Sequence, residues 1–472
     1  MSQRRTQRMV TEIVGVVILS LMFPAAGVVT SVGSAGGSSN SNRTNSWTVY
    51  HGSVDGSGVS ASLKAVNTSI RRWTSPVLSG QLYGEPLVFS TDIFVATENN
   101  VVYALSAANG SVVWSRHLAN AVPSSLLPCG NISNSIGITG TPVVDPVRHE
   151  IFAVADELVN GRPEHRLFGL STSSGKIELS QSVDPPRSDP AALLQRSGLT
   201  LDAGEVVFAM GGNYGDCGSY RGRVVAVKEA GSKPRFFTVD NRMGDSQGAI
   251  WMGGAAPVVD TKGSILVSVG NGSVHTSDQP YDNSDSVLNL SPTLRLRQYF
   301  APTSWAADNA GDFDLSTAPS LLSDGEIVVA GKSRTVYLLK GTHLGGIGGQ
   351  QASLTSACSN DIEGGSAVVG TTVYLPCLSG TVAIRVTSNP PTLKLLWSSV
   401  VGGGPPVVAA GLVWTIGSNG ELYGLNPSNG AVRQETSIGT STNHFPTPSV
   451  GDGLLLVPTS SRVIAFNATP MS

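Results

Sequence analysis

Residues Val101 to Trp114 read VVYALSAANGSVVW, and the same frame returns without gaps at Arg166 to Leu179 (RLFGLSTSSGKIEL) and at Glu421 to Gln434 (ELYGLNPSNGAVRQ). Each copy places an aromatic residue third, leucine fifth and glycine tenth. Aromatic and leucine two apart point to one face of a strand, and the Asn-Gly or Ser-Gly step supplies the positive φ of a hairpin turn. Each copy therefore predicts a strand, a turn of the two-residue class and a second strand. Upstream of such segments a small residue and proline precede a short apolar run, as in Gly84-Glu85-Pro86-Leu87-Val88 and Gly140-Thr141-Pro142-Val143-Val144. Related runs surround Pro257, Pro319, Pro406 and Pro448. Proline is tolerated at the first residue of a strand, where its missing N–H costs least. A further apolar strand follows, as in Ile93-Phe94-Val95-Ala96 or Leu412-Val413-Trp414.

Four strands in a unit of roughly 40 to 60 residues define a β-propeller blade. Units starting near Tyr83, Ile138, Gly198, Gly253, Ser316, Gly364, Gly403 and Phe445 predict an all-β, eight-bladed propeller of four-stranded antiparallel blades, with seven blades as the alternative. The last unit ends near Phe466 without a fourth strand, and Ser69 to Trp73 is a strand without a blade. The N-terminal strand is therefore expected to complete the last blade and close the ring with the C-terminal one.

Composition agrees with this fold and narrows the partners. Only 13 % of the 472 residues are charged, 55 are glycine, and the net charge is −3, which excludes a basic nucleic-acid-binding surface. Residues 1–35 carry Arg4, Arg5 and Arg8 ahead of an apolar run from Ile13 to Val29, then the small residues Gly33, Ser34 and Ala35. This is the layout of an export signal cleaved near Ala35, with an uncleaved membrane anchor as the alternative and the only expected membrane contact. No cysteine follows the run to carry a lipid. Residues 36–46 form a Gly/Ser linker, and the folded domain is expected over 47–472. Four cysteines allow three pairings in the oxidising compartment that export implies. Cys358 and Cys377 flank one turn-and-strand segment and are paired, leaving Cys129 with Cys217. The histidines, His51, His117 and His444 among them, show no ligand spacing and are expected at the surface or in turns; His444 lies outside the residues described below.

The repeat resembles that of quinoprotein dehydrogenases and their non-enzymatic propeller relatives, in which Tyr-Ala-Leu-x-x-x-x-Gly-x-x-x-Trp closes each blade. Val101 to Trp114 fits that pattern fully, and the resemblance extends over roughly Trp47 to Asn467. It points to candidate sites at three stretches: Val267 to Gly272 (VSVGNG), Trp305 to Asp314 (WAADNAGDFD) and Gly331 to Tyr337 (GKSRTVY). By resemblance, Asn271 is a calcium ligand, Asp312 the general base and a further ligand, and Lys332 a donor to a quinone carbonyl. Trp251 would supply the aromatic floor under a pyrroloquinoline quinone ring. A hard cation takes amide and carboxylate oxygens and polarises the carbonyl that accepts hydride, while a neighbouring carboxylate removes the alcohol proton.

The chain also departs from the enzymes. Cys217 stands where they carry a glutamate ligand, with Asp216 one residue earlier as a shifted candidate for calcium. The adjacent-cysteine disulfide of the alcohol dehydrogenases is missing, no haem attachment motif is present, and no NAD site is expected. Two readings follow. The first is an exported, non-catalytic propeller that binds a protein, small molecule or glycan on one face, the polar loop Asn213 to Arg223 being one such surface. The alternative is a calcium- and quinone-dependent alcohol dehydrogenase. The carboxylates of Asp278 to Asp285 are a further possible calcium loop.

Overall fold

The computed structural model describes residues 46–240, 242, 244–440 and 445–470. The expected export signal and nearly all of the linker lie outside these residues. Eight sheets of four or five strands form eight blades, spanning 87–117, 143–182, 193–238, 258–301, 320–354, 367–399, 407–437 and, for the eighth, 449–470 together with 63–74. The long strand Leu63–Thr74 pairs antiparallel with Val463–Pro470 as the outermost strand of blade 8. Both termini thus build one blade, and a seven-bladed ring is excluded. The inner strands of blades 1, 2, 4, 5, 7 and 8 start directly after a proline named above, so that the missing N–H falls at the strand end.

The repeated motif has a physical function at each blade junction. In all three copies the ladder shifts register between the fourth and fifth residues, at Ala104/Leu105, Gly169/Leu170 and Gly424/Leu425. Such a bulge bends the third and fourth strands together. The connection is wider than the two-residue turn expected. Gly110 N–H donates to Ser106 O and Ser106 N–H to Ser111 O, with Gly110 at φ 72°, so Ser106 to Ser111 form one broad loop. The neighbouring blade explains the width, because its outer side chain docks on this loop. Trp73 lies over Gly110 and donates its indole N–H to Ala107 O at 2.9 Å; Trp114 lies over Gly175 and donates to Thr172 O at 2.8 Å; Trp397 repeats the contact at Gly430 and Pro427. A Cβ on Gly175 would stand 2.5 Å from the Trp114 ring at φ +63°. Gly175→Ala is therefore expected to cost about 1–2 kcal/mol from the left-handed backbone alone, and more from the displaced tryptophan. A lowered urea midpoint at unchanged slope would register it.

The bottom of the ring is sealed by the segment that precedes the closing strand. Trp47 exchanges backbone hydrogen bonds with Val88 of blade 1, and the carbonyls of Thr48, Val54, Ser57 and Gly58 accept N–H groups of Val144, Val259, Val368 and Val408. These are inner-strand residues of blades 2, 4, 6 and 7, so residues 47–58 cross the axis. His51 is buried here, its ring stacked on Tyr50 at 4.3 Å and its Nδ1 3.2 Å from Ser366 O. His165 is buried as well, between Asp184 at 2.7 Å and Asp156 at 3.3 Å. Both correct the surface placement expected of the histidines: His165 lies between two carboxylates, whereas His51 Nε2 is buried without a hydrogen-bond partner. Cys129 pairs with Cys217 and Cys358 with Cys377, as read. Among the described residues no helix is long and apolar enough to cross a membrane.

Candidate functional site

Opposite the sealed end, loops of blades 3 to 6, with Asn131, Ile132 and Phe445, line a cavity of about 660 Å³. Trp251 lines it from the segment between blades 3 and 4, its Nε1 donating to Gly212 O at 2.8 Å. A Cβ on Gly211 would stand 2.7 Å from that nitrogen, so the glycine leaves room for the indole. Asp216 comes from the loop of blade 3 and accepts a hydrogen bond from the Tyr220 hydroxyl. Helix Trp305–Gly311 bridges blades 4 and 5 and stops at Asp312, whose φ of 58° turns the chain so that Asp314 points inward. The side chain of Asp312 is 64 % exposed and that of Asp314 only 1 %. Lys332, between the second and third strands of blade 5, reaches both: its Nζ stands 2.5 Å from Asp314 Oδ2 and 3.1 Å from Asp312 Oδ1.

Asn271 sits behind this group at the end of a strand of blade 4. Its N–H donates to Asp314 Oδ1 at 2.6 Å, and its side-chain Oδ1 is buried with no hydrogen-bond partner. The sequence-named residues Trp251, Asp216, Asp312 and Lys332 therefore line one cavity, with Asn271 joined to it through Asp314. The Asp278 to Asp285 stretch is separate in role. Asp282 receives N–H groups of Val274 and Ser284, and Asn309 of the helix donates to Val274 O and Ser284 Oγ, so this loop is tied to the helix that carries Asp312.

Electrostatics in the cavity favour a cation. Burial pushes the Asp216 carboxyl up to about 6, opposed by the Tyr220 hydrogen bond and reinforced by the charges of Asp314 and Asp312. Burial likewise pushes Glu363 up to about 7, with Lys332 opposing. Asp314 is raised by burial, and Lys332 opposes that shift too. For Lys332, burial works against its charge but the Asp314 and Asp312 carboxylates prevail and hold its pKa above the ordinary value. An acid with a raised folded pKa binds its proton more tightly folded than unfolded. Asp216 thus favours the folded state below about pH 4, and this contribution is lost as pH rises towards 6; Glu363 extends the loss to about 7. Asp216→Asn is expected to flatten the lower end of that stability–pH slope, measurable by thermal melts across pH 4 to 7.

Several lining residues were not named from sequence. Arg196, Glu363 and Phe445 each lie at or within two residues of a blade start, and that placement was the available signal, because a blade start faces the axis. Tyr214 and Phe313 lie within stretches named from sequence, Asn213 to Arg223 and Trp305 to Asp314, but were given no role there, and Asp361 carried no motif.

The donor types fit a hard cation, since an orphaned amide oxygen at Asn271 lies beside the Asp314 carboxylate, and burial with the charges of neighbouring acids raises the Asp216 carboxyl above its ordinary value. The cavity and the Trp251 indole likewise suit a flat ring system. Among the described residues, however, no three His, Cys, Asp or Glu side chains converge as a preformed ion site. The chain matches the family described as outer membrane protein assembly factor BamB over residues 48–277. No curated protein matches its sequence. Among solved structures, quinohemoprotein alcohol dehydrogenase ADHIIG from Pseudomonas putida HK5 superposes with TM-score 0.68 at 11 % identity, covering 91 % of this chain and 81 % of that one. The quinohemoprotein alcohol dehydrogenase of Comamonas testosteroni gives 0.67 at 15 % identity over 91 % and 81 % of the two chains. BamB from Moraxella catarrhalis gives 0.53 at 13 % identity over 85 % and 99 %. At such identities these likenesses establish the fold. The chain is an eight-bladed β-propeller of PQQ-like repeats that resembles both the quinoprotein alcohol dehydrogenases and the BamB-type propellers.

Proposed function

We propose that the chain is an exported quinoprotein-type dehydrogenase that oxidises an alcohol, with pyrroloquinoline quinone and calcium held in the cavity. The observation that carries this reading is the meeting of Trp251, Asp216, Asp312 and Lys332, drawn from distant stretches of sequence, around one cavity. Trp251 would lie beneath the ring, Lys332 would donate to its carbonyl, and Asn271 Oδ1 with Asp216 and Asp312 would hold the cation. When bound, the quinone accepts hydride and the cation polarises the accepting carbonyl. Asp312, exposed at the rim, is placed to receive the alcohol proton as base. Lys332 joins it to Asp314, so the charge that the proton neutralises is shared across one ammonium. Two disulfides suit the oxidising compartment to which export leads.

The test is titration of the chain with pyrroloquinoline quinone, with and without calcium, followed by tryptophan fluorescence and absorbance. Saturable, calcium-dependent binding that Asn271→Ala and Asp312→Ala abolish is expected. Absence of binding in the wild type would overturn the proposal. A non-catalytic binding propeller is the second reading. It is favoured by the lack of a preformed three-ligand cluster among the described residues and by the commitment of Cys217 to a disulfide.

A further inference from the structure

The two disulfides sit in different surroundings. Cys358 and Cys377 are 6 % and 1 % exposed and belong to the apolar core shared by blades 5 and 6. Cys129 is exposed and Cys217 half-buried, on two loops beside the cavity. Cys129 belongs to residues 121–136, a hairpin between blades 1 and 2 whose ladder pairs are Val122 with Ile136 and Pro123 with Ser135. Cys217 belongs to residues 213–222, which join the strands Glu205–Gly212 and Arg223–Lys228 of blade 3. Asn131 and Ile132 of the first loop and Tyr214, Gly215 and Asp216 of the second line the cavity. The Cys129–Cys217 bond therefore clasps one wall of it.

The two loops also meet where Asn131 Nδ2 donates to Asn213 Oδ1 at 2.5 Å, and where a Cβ on Gly218 would stand 3.1 Å from the Pro128 ring. Each loop is anchored to the ring by bonds of its own. Ala121 bridges to Glu157, and the Tyr83 hydroxyl donates to Ile132 O; Gly222 N–H donates to Gln247 O, and Gln247 N–H to Tyr220 O. Cutting the S–S bond thus frees residues 124–131 and 213–219 and leaves the blade ladders closed.

We propose that Cys129–Cys217 is a redox-sensitive clasp on the cavity wall, opened by a dithiol and closed by oxidation. A thiolate reaches an exposed disulfide directly, whereas a core disulfide is shielded from it. One thiolate of the dithiol attacks Cys129 Sγ, the more exposed sulfur; the S–S bond breaks, and Cys217 leaves as a thiolate that takes up a proton. The second thiol of the dithiol attacks the mixed disulfide and releases Cys129. The dithiol ends as its own disulfide, and two electrons and two protons have passed to the protein. The wall that carries Asp216 is then free, and access to the Trp251 side of the cavity widens. The inference does not depend on which ligand the cavity takes.

The experiment exposes the folded chain to a dithiothreitol series, traps thiols with iodoacetamide and locates them by peptide mass spectrometry, with amide hydrogen exchange read on the same samples. Cys129 and Cys217 are expected to be labelled at least about tenfold faster than Cys358 and Cys377. Exchange should then rise in 124–131 and 213–219 and stay unchanged in the strands of blades 5 to 8. Acrylamide quenching of Trp251, taken as the difference from Trp251→Phe, should increase on reduction. The double variant Cys129→Ser with Cys217→Ser should show the same local rise without reductant; if it does not fold, exchange in the reduced wild type decides. Labelling of all four cysteines at one rate would overturn the inference. So would loss of protection throughout the ring, which would make this bond a structural staple, or reduction that leaves both loops and the Trp251 quenching as before.

Discussion

Replacing Lys332 with methionine is expected to destabilise the fold by about 3 kcal/mol at neutral pH, read from urea unfolding. The reason is the position of Asp314, whose side chain is 1 % exposed and whose Oδ2 lies 2.5 Å from the Lys332 ammonium. Without that cation the carboxylate faces only Asn271 N–H, among other acids, and must stay charged in a poor environment or take up a proton. The lysine pKa is raised in the folded state, so its charge is held until pH climbs through the higher folded value, in strong alkali. On the acid side the pair is lost as Asp314, whose pKa burial raises, takes up its proton. The double variant Lys332→Met with Asp314→Asn should recover most of the loss, since it removes both charges. A double variant as unstable as the single one would show that packing of the lysine stem, not the ion pair, is responsible.

The second large effect is expected at Gly331, directly before that lysine. Its φ lies outside the left-handed region, so alanine is acceptable to the local backbone, yet a Cβ would stand 2.0 Å from Asp314 O and 2.9 Å from Leu315 Cα. Backbone atoms cannot rotate away as a side chain can. Gly331→Ala must therefore push apart the two segments that Lys332 N–H and Asp314 O join at 2.9 Å, which strains the ion pair as well. A loss of about 3 kcal/mol is expected from overpacking. Gly370→Ala is the comparison: at φ +59° with open space around the new Cβ it should cost only the backbone term of about 1–2 kcal/mol. Equal losses at both positions would remove the steric argument. Quinone titration of Gly331→Ala would add a functional measure, with weaker binding expected because Lys332 and Asp314 move together.

Much of the fold was legible in the chain because blades are local. Tyr103, Leu105 and Gly110 lie within one unit, and their alternation and turn fix two strands before any distant contact forms. The fourteenth residue was less legible. Trp114, Leu179 and Gln434 look unlike one another, yet each faces the next blade: Trp114 lies on Gly175, Leu179 touches the position of a Cβ on Gly231, and Gln434 bonds Val66 O and Thr68. The partner decides which side chain serves, and the partner is not in the same unit. The loop length at Gly110 was misjudged for the same reason, since the docking tryptophan belongs to another blade.

The site divides along that line. Residue types at Asn271, Asp312 and Lys332 were readable through resemblance, and Arg196, Glu363 and Phe445 were within reach because they fall at blade starts. The buried position of Asp314 and its sharing of Lys332 with Asp312 were not. By itself the sequence determined the propeller repeat and the closing strand, because each follows from periodicity or from what an unfinished unit lacks, and it favoured eight blades and the observed disulfide pairing. Tertiary structure decided which end of the ring is sealed, which acid is buried and which is exposed, and which loops share a cavity. Those depend on ring closure, which brings side chains from loops far apart in sequence to one axis.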